Sequence, residues 1–264
     1  MAFLQMDFQS QSLLRSVNIK VILPNDGFSG KAVPKPYKTL YFLPGYSASA
    51  QQLLTYLSLR KQSELKEIAV VLVDGENLFY QDLPFLNSNF SNFIKEVVEV
   101  TRDLLPLSDK REDSFIGGIS MGGYGSLYNS MRFNALFSKV IALSPAIDPY
   151  DLLAVKEIPG FYKEQFDILF GDKEKYQTSE AYLYKSWFSD SIEKPDLFIC
   201  CGTEDILVFD QVDDFAEKLS KAGIPYIYDK SSGNHDIAYW EKMLDKAFSF
   251  LVAIEPGTKN ELTV

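Results

Sequence analysis

The sequence predicts an α/β fold, with a mostly parallel central sheet, helices on both faces and a small helical excursion over one end. Short apolar, β-branched or aromatic runs alternate with helix-like segments, the pattern of repeated strand–helix–strand units. The run "IAVVLV" is apolar throughout, as a parallel strand must be when both its faces are covered. Hydrophobic residues make up 46% of the chain, enough for a sizeable core. No repeat or linker divides it, so residues 1–264 are expected to form a single domain.

Period-two alternation in "SVNIKVILP" (16–24) predicts an early strand, in a hairpin with residues 3–9. "KTLYFLPG" (38–45) predicts a buried strand ended by Pro-Gly. "SASAQQLLTYLSLRKQSELK" (47–66) predicts one helix with serines available to cap it. "IAVVLVDG" (68–75) is expected to form the next strand. Apolar spacing of three and four over 87–107 predicts a helix. "SFIGGIS" (114–120) reads as a strand and "MGGYGSLYNSMRFN" (121–134) as the helix after it. Strands are expected at 139–145, 195–202 and 225–231, helices at 208–222 and 237–253, and a polar tail beyond.

The interval 146–194 breaks this rhythm. It gathers Tyr150, Phe161, Tyr162, Phe166, Phe170, Tyr176, Tyr182, Tyr184, Trp187 and Phe188 amid charges, without a strand pattern. It reads as a cap-like helical excursion, whose rings either wall a ligand site or pack helices onto the sheet.

A net charge of -10 repels phosphate backbones, so no nucleic-acid partner is expected. The start "MAFLQMDFQSQSLLR" has neither the basic nor the long apolar region of a secretory leader. The most apolar runs are too short to span a bilayer. A cytoplasmic location without a membrane partner is expected. Cys200 and Cys201 are adjacent, which suits neither an ordinary disulfide nor a zinc ligand set.

Gly118-Ile119-Ser120-Met121-Gly122 fits Gly-x-Ser-x-Gly. Three fixed positions match by chance in about one chain in ten of this size, so the context carries the weight. The pattern follows an expected strand and opens an expected helix, as a nucleophile elbow does. Glycines on both flanks would let neighbouring backbone approach, while the turn pushes the Ser120 hydroxyl outward. The plainer reading is a glycine-rich strand end with Ser120 as helix cap.

A serine hydroxyl needs a base to accept its proton, and the chain has one histidine, His235. It lies in "SSGNHD", after the last expected strand, where loops at the carboxyl ends of parallel strands gather into one site. The acid is expected after the penultimate strand, in "CGTED". Asp205 is preferred there over Glu204, because a short carboxylate can turn back toward the imidazole. Asp236 is next to the base and poorly placed to bond its ring, and Asp172 lies in the excursion. Two backbone amides would complete the site by binding an oxyanion: Met121 at the helix start, and Tyr46 after Gly45.

"GGISMGGYGSLY", "CGTED", "GNHDIAYWEKML" and "YFLPGYSAS" together resemble the "Putative esterase" family that includes bacterial tributyrin esterases; esterase D (S-formylglutathione hydrolase) and the mycolyltransferases are more distant relatives. The resemblance covers nearly the whole chain. It implies an α/β-hydrolase fold and carboxylesterase activity on short acyl chains, with Ser120, Asp205 and His235 as triad and Tyr46 and Met121 as oxyanion amides. Pro44-Gly45 departs from the His-Gly that many such esterases carry at the first oxyanion loop. Because the donor is a backbone amide, the loop can still serve. The expected chemistry is acyl transfer through an acyl-enzyme, needing no metal or organic cofactor. The expected partner is a small-molecule ester, and the resemblance also allows a homo-oligomer. Thioester hydrolysis of the S-formylglutathione type and acetyl or feruloyl ester hydrolysis remain alternatives within the fold. A catalytically dead binding module is the alternative outside it.

Overall fold

A computed structural model describes residues 1–25, 32–155, 161–189 and 193–257. Strands β1 (Ala2–Ser10) and β2 (Arg15–Leu23) form the expected antiparallel hairpin. Then come β3 (Lys38–Leu43), α1 (Ala50–Tyr56), α2 (Leu59–Lys66) and β4 (Ile68–Leu72). A short hairpin, β5 (Asp82–Leu83) and β6 (Ser88–Asn89), leads into α3 (Phe90–Leu104). It is followed by β7 (Ser114–Ile119), α4 (Met121–Arg132) and β8 (Lys139–Leu143). The excursion holds a 3₁₀ segment (Pro149–Ala154), α5 (Lys163–Phe170), α6 (Lys173–Thr178) and α7 (Leu183–Ser186). The chain closes with β9 (Asp196–Gly202), α8 (Phe209–Lys221), β10 (Ile227–Ser231) and α9 (Ile237–Val252).

Eight strands make one sheet in the order β1-β2-β4-β3-β7-β8-β9-β10, in which the β1–β2 and β2–β4 pairings are antiparallel and the other five parallel. The strand pleat explains the continuous apolar runs. Leu40, Phe42, Val70 and Leu72 face a core shared with α1, α2 and α9. Their neighbours Tyr41, Leu43, Ala69 and Val71 face the opposite core, built from α3, α4, α8 and the excursion. A residue pointing to either side is therefore buried, and no polar alternation survives.

The single helix expected over 47–66 is two. Ser49 starts α1 with a reciprocal capping box to Gln52. Leu57 then turns extended and is buried. The Ser58 backbone N–H donates to Glu241 of α9 at 2.8 Å, and its hydroxyl donates to the same carboxylate. Leu57 burial and the Glu241 anchor outweigh helix continuity, a tertiary effect that propensity does not carry. The β5–β6 hairpin is likewise absent from the expectation, because two-residue strands leave no periodicity to read.

The excursion is helical as expected, within its described part; 156–160 and 190–192 lie outside the described residues. Phe166, Phe170, Tyr176 and Trp187 are buried. Successive ring contacts run from Phe79 through Phe170 and Tyr176 to Tyr182 and Tyr184. Most of these aromatics therefore pack the excursion onto the sheet; Phe161 is the one that also lines the cavity described below.

Asp148 opens the excursion and is buried. Burial first, and then the Asp151 carboxylate, push it up to about 6 from the usual 3.8. Since folding raises this value, the folded state binds more protons than the unfolded one between those limits. The group's stabilising contribution is complete below the unfolded value and is lost as pH rises through about 6. Asparagine would keep the acceptor for the Tyr150 backbone N–H, now bonded to Asp148 at 3.0 Å. Asp148→Asn should therefore raise Tm at pH 8 by a few degrees, from at most about 3 kcal/mol, and the gain should shrink toward pH 4.5. Thermal melts of both proteins across that range would expose the error if the gain were independent of pH.

Candidate active site

Ser120 sits where β7 ends and α4 begins. Parallel pairing with β3 and β8 sets Gly118 opposite Leu43 and Ile119 opposite Leu143, so the strand ends are level. The Ser120 N–H then donates to the Leu143 carbonyl at 2.9 Å. Its backbone has φ 56° and ψ -115°, an unfavourable conformation for a residue with a side chain. The flanking glycines explain how the turn closes. A Cβ at Gly118 would lie 2.5 Å from the Gly122 backbone, and one at Gly122 would lie 2.0 Å from the Leu43 carbonyl oxygen.

His235 comes from the loop after β10, and Asp205 from the loop after β9. The ring Nε2 lies 3.0 Å from Ser120 Oγ, and Nδ1 lies 2.7 Å from Asp205 Oδ2. Asp205 is buried. Its other oxygen accepts from the backbone N–H groups of Leu207 and Val208, both at 3.1 Å. These two bonds fix the carboxylate so that one oxygen faces the imidazole. Glu204, the rejected neighbour, does not face the ring. It accepts from the Gly233 backbone N–H and lashes the acid loop to the histidine loop. Asp236 caps α9 by accepting from the Tyr239 N–H, and Asp172 caps α6 by accepting from Lys175. Trp240 meets the His235 ring edge-on at 5.1 Å and donates its indole N–H to Ser144 Oγ at 3.1 Å.

Met121 starts α4 and is one of the helix's first amides, which lack an intrahelical acceptor. Gly45 lies against the serine: a Cβ there would be 3.2 Å from the Ile119 carbonyl oxygen and 3.4 Å from Ser120 Cβ. Tyr46, the next residue, therefore begins beside the nucleophile loop. Its ring packs on Phe79 and Phe161, and its hydroxyl meets the Gln165 side chain at 3.0 Å.

The loop after β4 supports this region. Asp74 Oδ1 accepts from the Ala50 N–H at 2.5 Å, Asn77 Oδ1 accepts from the Ser47 N–H at 2.6 Å, and the Tyr80 hydroxyl donates to the Pro44 carbonyl at 2.9 Å. Glu76, Asn77, Phe79 and Tyr80 all have positive φ, between 47° and 60°. Each such residue costs roughly 1–2 kcal/mol, offset here by burial of Phe79 and Tyr80. Nothing in the sequence reading singled out this loop. The expected strand 68–75 ran over Asp74 and Gly75, whereas β4 ends at Leu72; the available signal was that Asp74, Gly75 and Asn77 are turn residues.

A cavity of about 450 Å³ opens beside Ser120 and His235. Leu53, Tyr56, Ile119, Phe161, Leu207, Ile237 and Trp240 make its walls apolar. Among the described residues, no group of three or more His, Cys, Asp or Glu is arranged to hold a metal ion, and no helix is long and apolar enough to cross a membrane. Cys200 and Cys201 are free and buried, with burial pushing both thiols up.

Residues 10–251 match the family model described as "Putative esterase". The chain is 33% identical to an acetyl esterase of Caldicellulosiruptor saccharolyticus, covering 95% of this chain and 98% of that one. Among solved structures it is similar to a fluorophosphonate-binding serine hydrolase of Staphylococcus aureus, FphF, with a TM-score of 0.84, 27% identity and coverage of 95% and 98%. It is also similar to an S-formylglutathione hydrolase of that organism, with a TM-score of 0.82, 28% identity and the same coverage.

Proposed function

Because the chain belongs to the "Putative esterase" family and is a serine hydrolase of carboxylic esters with the α/β-hydrolase fold, we propose that it hydrolyses short-chain acyl esters through an acyl-enzyme on Ser120. The observation that carries this reading is the hydrogen-bonded series from Ser120 Oγ through His235 to Asp205, at 3.0 and 2.7 Å, opening into an apolar cavity. His235 takes the hydroxyl proton as Oγ attacks the ester carbonyl. Asp205 holds the Nδ1–H tautomer and stabilises the imidazolium. The amides of Met121 and Tyr46 receive the oxyanion, and the proton passes from His235 to the departing alcohol. Water then repeats the steps to release the acid.

Likeness to an S-formylglutathione hydrolase raises the thioester reading. Two features favour the oxygen ester. The glutathione moiety carries carboxylates, whereas the described cavity lining includes no lysine or arginine. The adjoining depression is lined by Asp151, Glu204, Asp210 and Asp214; lysines pair with Asp151 and Asp214, and Glu204 and Asp210 remain to repel an anionic leaving group. The expected kcat/KM is therefore at least tenfold higher on nitrophenyl acetate and butyrate than on S-formylglutathione. The reverse order, measured side by side, would replace the ester by the thioester as substrate. Feruloyl and acetylated xylan substrates belong in the same panel, because an open apolar cavity could seat an aryl acyl group.

A further inference from the structure

We propose that Asn77 is a positioning residue for the oxyanion site: its hydrogen bond to the Ser47 N–H fixes the peptide plane that follows Tyr46, and with it the turn that presents the Tyr46 N–H. This rests on the reading of Tyr46 as an oxyanion donor. Three side chains of the loop after β4 bind backbone groups between the end of β3 and the first residue of α1, on both sides of Tyr46: Tyr80 at Pro44, Asn77 at Ser47 and Asp74 at Ala50. The Asn77 bond lands on the residue directly after the donor, nearer to it than the other two, and that residue, Ser47, has φ 60°. The Ala48 N–H donates to the Gly45 carbonyl at 3.2 Å and closes a turn over Tyr46 and Ser47; that carbonyl shares its peptide plane with the Tyr46 N–H. The 2.6 Å bond from the Ser47 N–H to Asn77 Oδ1 fixes the turn's central peptide, between Tyr46 and Ser47.

Tyr80 ties the same loop to the nucleophile. Its ring is buried between Gly75 and Gly125: a Cβ at either glycine would come within 2.4 Å of ring carbons. Gly125 lies on α4, the helix that Ser120 leads. The Pro44 carbonyl is thus referenced, through one aromatic ring, to the helix that supplies the other proposed donor, Met121. Asn77 then sets the remaining freedom at Ser47. The loop of left-handed residues acts as a rigid template holding two backbone donors in register, and their register matters because donors off by a fraction of an ångström lose most of their effect on a developing oxyanion.

Asn77 has φ 60°, so Asn77→Gly removes the carboxamide while leaving that backbone conformation accessible. With active-site concentration fixed by fluorophosphonate titration, Asn77→Gly should lower kcat on nitrophenyl acetate about tenfold or more. KM should stay within twofold, and affinity for a trifluoromethyl ketone, which mimics the tetrahedral intermediate, should weaken by the factor lost in kcat. Loss of active fraction alone, with kcat per titrated site and ketone affinity unchanged, would make Asn77 a merely structural residue and overturn the proposal. Ser120→Ala, run in parallel, separates the two levels. An inactive Ser120→Ala beside a fully active Asn77→Gly removes only the positioning role, whereas an active Ser120→Ala removes the underlying reading as well.

Discussion

Ser120→Ala is expected to lower kcat/KM on short nitrophenyl esters by a factor on the order of 10⁴–10⁶, with Tm nearly unchanged. In the proposed mechanism the hydroxyl oxygen becomes acylated, and Ser120 is the one hydroxyl or thiol hydrogen-bonded to the imidazole among the described residues. His235→Ala should cost a similar factor, and the double variant should be no worse than either. The two side chains act as one proton-transfer unit, so removing the second partner removes nothing further. Asp205→Asn should cost roughly 10⁴ in kcat for a different reason. Its carbonyl oxygen can still accept from Leu207 and Val208, which turns the amide N–H₂ toward His235 and disfavours the tautomer with its proton on Nδ1. Additive losses in the Ser120/His235 pair, measured per folded molecule, would mean that the two do not share one proton transfer.

Gly122→Ala should damage both fold and activity. The added methyl would overlap the Leu43 carbonyl oxygen at 2.0 Å and the Pro44 oxygen at 2.6 Å. Both obstacles are backbone, so no side-chain rotation relieves them. Either the end of β3 or the start of α4 must shift, and the first movement displaces the loop carrying Tyr46 while the second displaces Ser120 and Met121. A loss of roughly 3 kcal/mol or more is expected in urea unfolding, with at least a hundredfold loss of kcat in the fraction that folds. Gly223→Ala is the control: it has left-handed φ 67° but nothing within 4 Å of the new Cβ, so only about 1 kcal/mol of backbone strain is expected. Equal destabilisation of the two variants would show that the elbow tolerates a side chain and that close approach is not what its glycines provide.

Much of the candidate site was legible because its chemistry depends on residue types that are scarce here. The lone imidazole, His235, had no competitor, and the glycine-flanked Ser120 fell at a strand-to-helix junction. The preference for Asp205 over Glu204 rested on reach. The structure adds the cause: two loop amides hold the aspartate in place, and Glu204 is occupied by Gly233. The support for Tyr46 was not legible. Asn77 and Tyr80 act across the gap between two loops about 30 residues apart, and their own segment has neither strand nor helix periodicity. The aromatic excursion was legible as helical, but not as mostly structural packing, since composition cannot say which side of a ring faces solvent.

The alternation of strands and helices along the chain and the placement of Ser120 at a strand-to-helix turn followed from the sequence alone, because hydrophobic periodicity and glycine placement are local properties that each segment carries by itself. The break between α1 and α2, the lashing of the histidine loop by Glu204 and the template beneath Tyr46 were decided only by tertiary structure. Each depends on a carboxylate, amide or hydroxyl meeting a backbone group from a distant segment, and such a meeting exists only once the sheet has brought its strand ends level.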